Sequence, residues 1–248
     1  MSVRMLKKRG VYLYGIIEAD ANPCLDCDGI GRPPQAVQVK EVAGFGVLVS
    51  YLTADFKELG LADSITHVKV LETAMRHSPV IPLKFGTVLK SLDDLSLILN
   101  AKKNNLKKEF QKLKGKFEVT IKAYWKQSYI LNELAKRYQD IEFLAEQAQF
   151  NRLAAIELGK RVESVIEDLR LDIYDRIHGV LSKLAAGQYL AEPLGVEMIY
   201  NAAFLVTEEQ ELRLKRQLEE IAEWEQENVE FYYSTQLPPF NFTKLNLS

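Results

Sequence analysis

The side chains with the clearest chemical potential are two thiols, Cys24 and Cys27, in the string CLDC. Two thiolates at that spacing reach one metal, and a structural zinc site closes its tetrahedron with two further ligands. The chain has no other cysteine, and His67, His77 and His178 are scattered, none within two to five residues of another cysteine or histidine. The thiols therefore read as loop residues without a metal. As a redox pair they lack a helix opening directly after Cys24, which would lower its pKa. Phosphate chemistry fares no better. Gly29 and Gly31 frame a GxG that runs into Arg32, Pro33 and Pro34, and Gly44 and Gly46 fall between two expected strands. Neither has the strand–loop–helix setting of a dinucleotide site.

Lys102, Lys103, Lys107, Lys108, Lys112, Lys114 and Lys116 make the most basic stretch, opposed only by Glu109. Such a run fits an anionic partner or a solvated helix face. Phe110 is its one interleaved aromatic, and it belongs to the apolar stripe, so the solvated face is the better account. Carboxylates such as Glu208, Glu209 and Glu211 stand beside Arg213, Lys215 and Arg216, as ordinary helix charges do. Trp125 with Tyr124, and Tyr232 with Tyr233, read as core or domain-interface residues. No catalytic, cofactor-binding or metal-binding residue is assigned, and no cofactor is expected.

Composition sets the frame for these side chains. The 248 residues carry 32 Lys and Arg against 34 Asp and Glu, a net charge of -2. A protein that grips nucleic acid through phosphates usually has a basic excess. With 47% hydrophobic and 27% charged residues the chain can build a large core under a soluble surface. No apolar run reaches the 18 residues of a membrane span. The basic N-terminus lacks the apolar core of a signal peptide. A cytoplasmic protein with reduced thiols is expected.

The elements follow from periodicity. Residues 10–19 read as a buried strand, and 22–34 as a loop rich in turn signals. Residues 36–43 and 45–52 form a hairpin around Gly44. Asp63 or Ser64 caps a helix to His77, with Ile65, Val68, Leu71 and Met75 at helical spacing. The string PVIPLKFGTV at 79–88 is apolar, bracketed by prolines and closed by glycine and threonine. It reads as a rigid turn or strand entry, with Lys84 its one polar puzzle. A helix from Ser91 through Leu95, Leu99, Leu106, Phe110 and Leu113 stops at Gly115.

Residues 116–125 alternate, with Phe117, Val119, Ile121 and Ala123 inward and Glu118, Thr120 and Lys122 outward. Residues 128–188 are helical. One straight helix of that length would run about 90 Å, so breaks are expected at 149–151 and Gly187, with another near Leu171. A strand at 194–206 is followed by a helix that Thr207 caps, running through Leu212, Leu218 and Ile221. A last strand spans 228–233. The tail from Leu237 carries Phe240, Phe242, Leu245 and Leu247 and suits an arm lying in a groove.

The expected fold class is α+β in two domains. Residues 1–112 form an N-terminal α+β domain. Residues 113–236 form a modified ferredoxin-like domain with an enlarged helical insertion and one strand hard to see. Residues 237–248 are an apolar tail packing between the domains.

Taken in order, YLYGI (12–16), VIPLKFGT (80–87), GKFEVTIK (115–122) and YNAAFLV (200–206) resemble the gas vesicle protein F/L family (GvpF/GvpL) from about residue 10 to 234. PLKFGT is the most specific of these strings. The resemblance implies a non-enzymatic accessory protein and minor component of gas vesicles. It implies binding to the hydrophobic major shell protein GvpA, restraint of its aggregation, help in nucleation and assembly, and company with other gas vesicle accessory proteins. It supplies no catalytic residue and no role for Cys24 or Cys27. The competing readings are a metal- or small-molecule-binding enzyme using the cysteine pair or Lys84, and a nucleic-acid module on the lysine helix.

Overall fold

The computed structural model describes residues 8–21, 23–53, 58–243 and 245, with Lys8 and Arg9 described as backbone only. The basic N-terminal seven residues, Asn22 at the start of the predicted loop, and Leu247 of the tail lie outside them. The chain is a mixed α and β protein in two compact units, residues 1–118 with 236–248, and residues 119–235.

The first unit runs β1 (Lys8–Glu18), β2 (Asp28–Gly29), β3 (Gln35–Ala36), β4 (Gln38–Val42), β5 (Phe45–Thr53), α1 (Leu61–Met75), β6 (Val80–Pro82), β7 (Val88–Leu89), α2 (Asp93–Ala101) and α3 (Lys103–Leu113). Its main sheet has the order β4-β5-β1-β6, with β7 also paired to β1. The hairpin β4–β5 closes with Val42 opposite Phe45 around the two residues Ala43 and Gly44.

β1 is buried on both faces, because Tyr12 and Leu13, neighbours of opposite orientation, are both fully covered. A register shift between Leu13 and Gly15 lets Ile17 join Tyr12 and Tyr14 in one cluster with Leu48, Leu52, and Val70, Leu71 and Ala74 of α1. On the other face Phe45 stacks on Phe110 of α3 at 6.0 Å.

Helix boundaries differ from periodicity in instructive ways. α1 starts at Leu61, behind Gly60, because Asp63 acts from the third helical position: its Oδ2 accepts from Gly60 N at 2.8 Å. Asp63 and Ser64 are therefore inside the helix. Ile65, expected inward, is 63% exposed, while His67 is buried. The helix predicted from Ser91 to Leu113 is two helices that break at Lys102.

In the second unit come β8 (Phe117–Trp125), α4 (Gln127–Arg137), α5 (Ile141–Ala148), α6 (Arg152–Leu181), β9 (Gly187–Leu190), β10 (Met198–Val206), α7 (Glu208–Trp224) and β11 (Val229–Leu237). β8 and β11 each run two residues into the first unit. The sheet order is β11-β8-β10-β9. The break at 149–151 is present, with Asn151 Oδ1 accepting from Leu153 N at 2.9 Å. A further break at residues 138–140 was not signalled. None occurs near Leu171, since α6 continues for 30 residues, about 45 Å. Its buried stripe is Val165, Ile166, Leu169, Ile173, Ile177 and Leu181.

β10 begins at Met198, four residues later than periodicity indicates, because Gly195 turns the chain at φ +81. Thr207 and Gln210 cap α7 reciprocally (3.3 and 3.0 Å), and Leu214 and Leu218 are its buried residues, with Leu212 exposed. Among the described residues, no helix is long and apolar enough to cross a membrane.

Candidate functional site: the turn at residues 83–87

The segment singled out by its prolines leaves the edge of the sheet and returns to it. β6 pairs with β1 through Pro82 opposite Gly15, and β7 resumes with Val88 opposite Tyr12. Pro82 is tolerated because β6 is an edge strand. Between them Thr87 N and Oγ1 both donate to Lys84 O (3.1 and 2.6 Å). Gly86 takes φ +86, the left-handed value that the third residue of a type II turn requires. Leu83 N donates to Tyr14 O at 2.9 Å, and Leu13 N to Thr87 O at 3.0 Å, so both ends are anchored on β1.

A second clamp is built from side chains. Tyr12 Oη lies 2.8 Å from His67 Nδ1, and His67 Nε2 lies 3.1 Å from Leu83 O. A carbonyl only accepts, so Nε2 carries the proton and Nδ1 accepts from the tyrosine. Tyr12 Oη in turn accepts from Gly86 N at 3.2 Å. The relay therefore starts on the turn at Gly86 and ends on it at Leu83. Burial lowers the His67 pKa to about 4 and raises that of Tyr12. Both groups are neutral near pH 7, and their hydrogen bonds hold the turn.

Tyr14 makes a parallel anchor, donating to Ser50 Oγ at 3.0 Å and accepting from Ile30 N at 2.7 Å. That contact accounts for the first GxG: a Cβ on Gly29 would lie 2.6 Å from the Tyr14 hydroxyl and 2.3 Å from Ser50 Oγ. The glycine admits a tyrosine, and a phosphate has no part in it. What this scaffold presents is Lys84 and Phe85, both exposed. The Phe85 ring meets His67 edge-on at 5.8 Å, and Phe240 of the tail stacks on His67 at 6.2 Å.

Glu118 sits at the other hold on the tail. Alternation puts it outward with Thr120 and Lys122, yet it is 2% exposed. Asn241 covers it, donating from N to Oε2 at 2.9 Å and from Nδ2 to Oε1 at 2.7 Å. Burial pushes the Glu118 carboxyl up and these two bonds pull it partly back.

The remaining predicted groups lie away from this turn. Cys24 and Cys27 are free thiols. With His77, Lys69 and Glu72 they line an open groove of about 920 Å³ against α1. Burial raises the Cys27 pKa. Among the described residues, no cluster of three or more His, Cys, Asp or Glu could hold a metal ion. Lys107, Lys108, Lys112 and Lys114 are exposed while Leu106, Phe110 and Leu113 of α3 are buried. His178 Nδ1 pairs with Tyr200 Oη at 2.9 Å. Tyr124 and Tyr232, in edge contact at 5.4 Å, line an open hollow of about 460 Å³ on the second sheet.

The family model described as gas vesicle synthesis protein GvpL/GvpF matches residues 10–244. The chain belongs to this GvpL/GvpF family. Gas vesicle protein F of Microcystis aeruginosa is 30% identical over 246 residues, covering 95% of this chain and 98% of the relative. That of Dolichospermum flosaquae is 28% identical over 242 residues, covering 95% and 98%. The crystal structure of GvpF from Anabaena sp. PCC7120 superposes with a TM-score of 0.79 at 28% identity, covering 96% of this chain and 97% of that one. GvpF from Microcystis aeruginosa gives 0.75 at 28%, covering 95% and 99%.

Membership in the GvpL/GvpF family gives the strings that carried the resemblance a physical content. YLYGI supplies the two tyrosine hydroxyls, and PLKFGT supplies the turn they hold. His67 escaped sequence reasoning, although two tyrosines two apart on a buried strand call for polar partners.

Proposed function

We propose that this chain is a non-enzymatic accessory protein and minor structural component of gas vesicles in the cytoplasm. In this reading it binds the hydrophobic major shell protein GvpA, limits its aggregation, assists nucleation and assembly, and works beside other gas vesicle accessory proteins. The observation that carries the reading is the family match running from residue 10 to 244. The geometry supports it. The relay through Tyr12 and His67 is committed to holding a turn, and that turn offers Phe85 and Lys84 to solvent beside Phe240. A protein that keeps an aggregation-prone partner in solution needs exposed apolar area on a rigid base, within a charged surface.

The sheet order β11-β8-β10-β9 supports reading the second unit as a ferredoxin-like βαββαβ plan. Its first crossover is enlarged by α4, α5 and α6. Its second strand is the short β9.

The test is co-purification of the shell protein with this chain from cells expressing both. Wild type retains the shell protein in the soluble fraction, and Phe85→Ser together with Lys84→Glu retains less. Absence of the shell protein from the wild-type eluate overturns the binding reading.

A further inference from the structure

We infer that β9 is a second docking edge, which takes up an extended, uncharged segment of a partner as an added strand. The inference rests on the accessory-protein reading above and names a surface and a partner conformation for it.

β9 ends its sheet, pairing on one side with β10 through Leu190 opposite Ala202 and Tyr189 opposite Ala203. Ala191 N donates to Asn201 O at 2.9 Å. Antiparallel ladders alternate, so Tyr189 also directs its backbone groups to β10, while Gln188 and Leu190 direct theirs away from it. The outer side of β9 thus presents two N–H and two C=O groups in strand geometry, which an extended chain can pair.

Proteins usually blunt such an edge with charge, proline or a bulge, and three other outer strands here follow that rule. β4 carries Lys40 and Glu41, β6 carries Pro82 and gives way to the 83–87 turn, and β11 carries Glu230 and runs into Pro238 and Pro239. β9 reads GQYL and has no charge or proline within the strand; Glu192 and Pro193 follow only after Ala191, beyond the exposed edge.

Apolar side chains extend the edge. Tyr189 and Leu190 are 45% and 42% exposed, and beyond the strand Leu194 and Val196 are 72% and 58% exposed. The loop that carries them is fixed, since Arg170 Nη2 donates to Gly195 O and Val196 O (both 3.4 Å) and to Met198 O (3.1 Å). The backbone of the edge specifies an extended occupant, and these side chains specify an uncharged, apolar one. A second copy of this chain would have to offer the same four-residue edge in return, and the oligomeric state of wild type and of the edge variants tests it.

The experiment uses the full chain, the major shell protein as probe, and three variants. Gln188→Pro removes an outward N–H without touching the β10 ladder. Leu190→Lys adds the missing charge, and Leu212→Lys is a control on exposed α7. With soluble yield and circular dichroism matched to wild type, the edge variants are expected to retain roughly tenfold less shell protein, and the control to match wild type. In wild type, amide exchange at Gln188 and Leu190 should slow on binding. Equal retention by all chains, with unchanged exchange at those amides, overturns the edge and leaves the accessory reading standing. Failure of wild type to retain the shell protein overturns both. A wild-type dimer that either edge variant converts to monomer assigns the edge to a second copy and overturns the inference.

Discussion

At the scale of single residues, the chain commits its buried ionisable groups to holding shape. His67 titrates at about 4 in the folded protein against 6.5 in the open chain. Between those values the unfolded chain binds more protons, so stability rises with pH across the window and is fully present above it. It is lost as pH falls toward 4, by on the order of 3 kcal/mol for a shift of this size. Protonation also takes the Nδ1 acceptor from the Tyr12 hydroxyl, which breaks the relay between Tyr12 and His67. Glu118 acts in the opposite sense. Its raised carboxyl lets the folded state hold a proton above 4.5, so its contribution belongs to low pH and fades as pH rises through the folded value. Urea denaturation of wild type from pH 4 to 7 should show the His67 slope, and His67→Gln should flatten it. An unchanged slope in the variant would assign the dependence elsewhere. Asn241→Ala removes the Nδ2 donor and leaves Glu118 Oε1 buried without it, while the backbone N still bonds Oε2. The loss costs about 1–3 kcal/mol, or roughly 2–12 °C in melting temperature for a chain of this size. Calorimetry reads that directly.

At the scale of elements, the strands were legible in the sequence because their periods are short and their apolar runs dense, as in β1, β5 and the alternating β8. Less legible were the places where distant residues decide the outcome. Glu118 follows the polar phase of β8, yet Asn241, more than a hundred residues away, buries it, and no local pattern records such a partner. The helix break at Lys102 falls among the good helix formers Ala101, Lys102 and Lys103, and its signal in the sequence is the weak one of Asn100, Asn104 and Asn105 around them. β9 is four residues long, two of them Gly and Gln, too short and too weak in β-propensity to stand out. In α7 the inward residues are Leu214 and Leu218, while Leu212, of equal hydrophobicity, faces solvent. The turn at 83–87 lies between these extremes, because its prolines and glycine mark it while its clamp, His67, is supplied by α1. Gly86→Ala should therefore cost about 1 kcal/mol from its positive φ alone. Because the turn is anchored at both ends, the loss should appear in thermal melts without a change in strand content by circular dichroism. A melting temperature equal to wild type would show that the turn relaxes freely and that the clamp is unimportant.

At the scale of the whole molecule, the family match runs from residue 10 to 244 and assigns the chain to the GvpL/GvpF family. The rival picture of a metal enzyme rests on Cys24 and Cys27. The structure does bring His77 to the groove they line, which spacing alone did not anticipate. Three nearby donors still fall short of a site unless their atoms converge, and among the described residues no such group of three is found. Burial also raises the Cys27 thiol, which disfavours the thiolate that zinc and disulfide chemistry both need. A groove of this kind contributes shape and polarity to the surface of α1. Cys24→Ser with Cys27→Ser should consequently leave the melting temperature within about 1 kcal/mol equivalent of wild type, as surface substitutions usually do. Protein purified without chelator should carry zinc well below one equivalent per chain by elemental analysis. Cells whose only copy is the double variant should still assemble vesicles. Stoichiometric zinc in wild type, or loss of vesicles in the variant, would return the cysteine pair to the centre of the function.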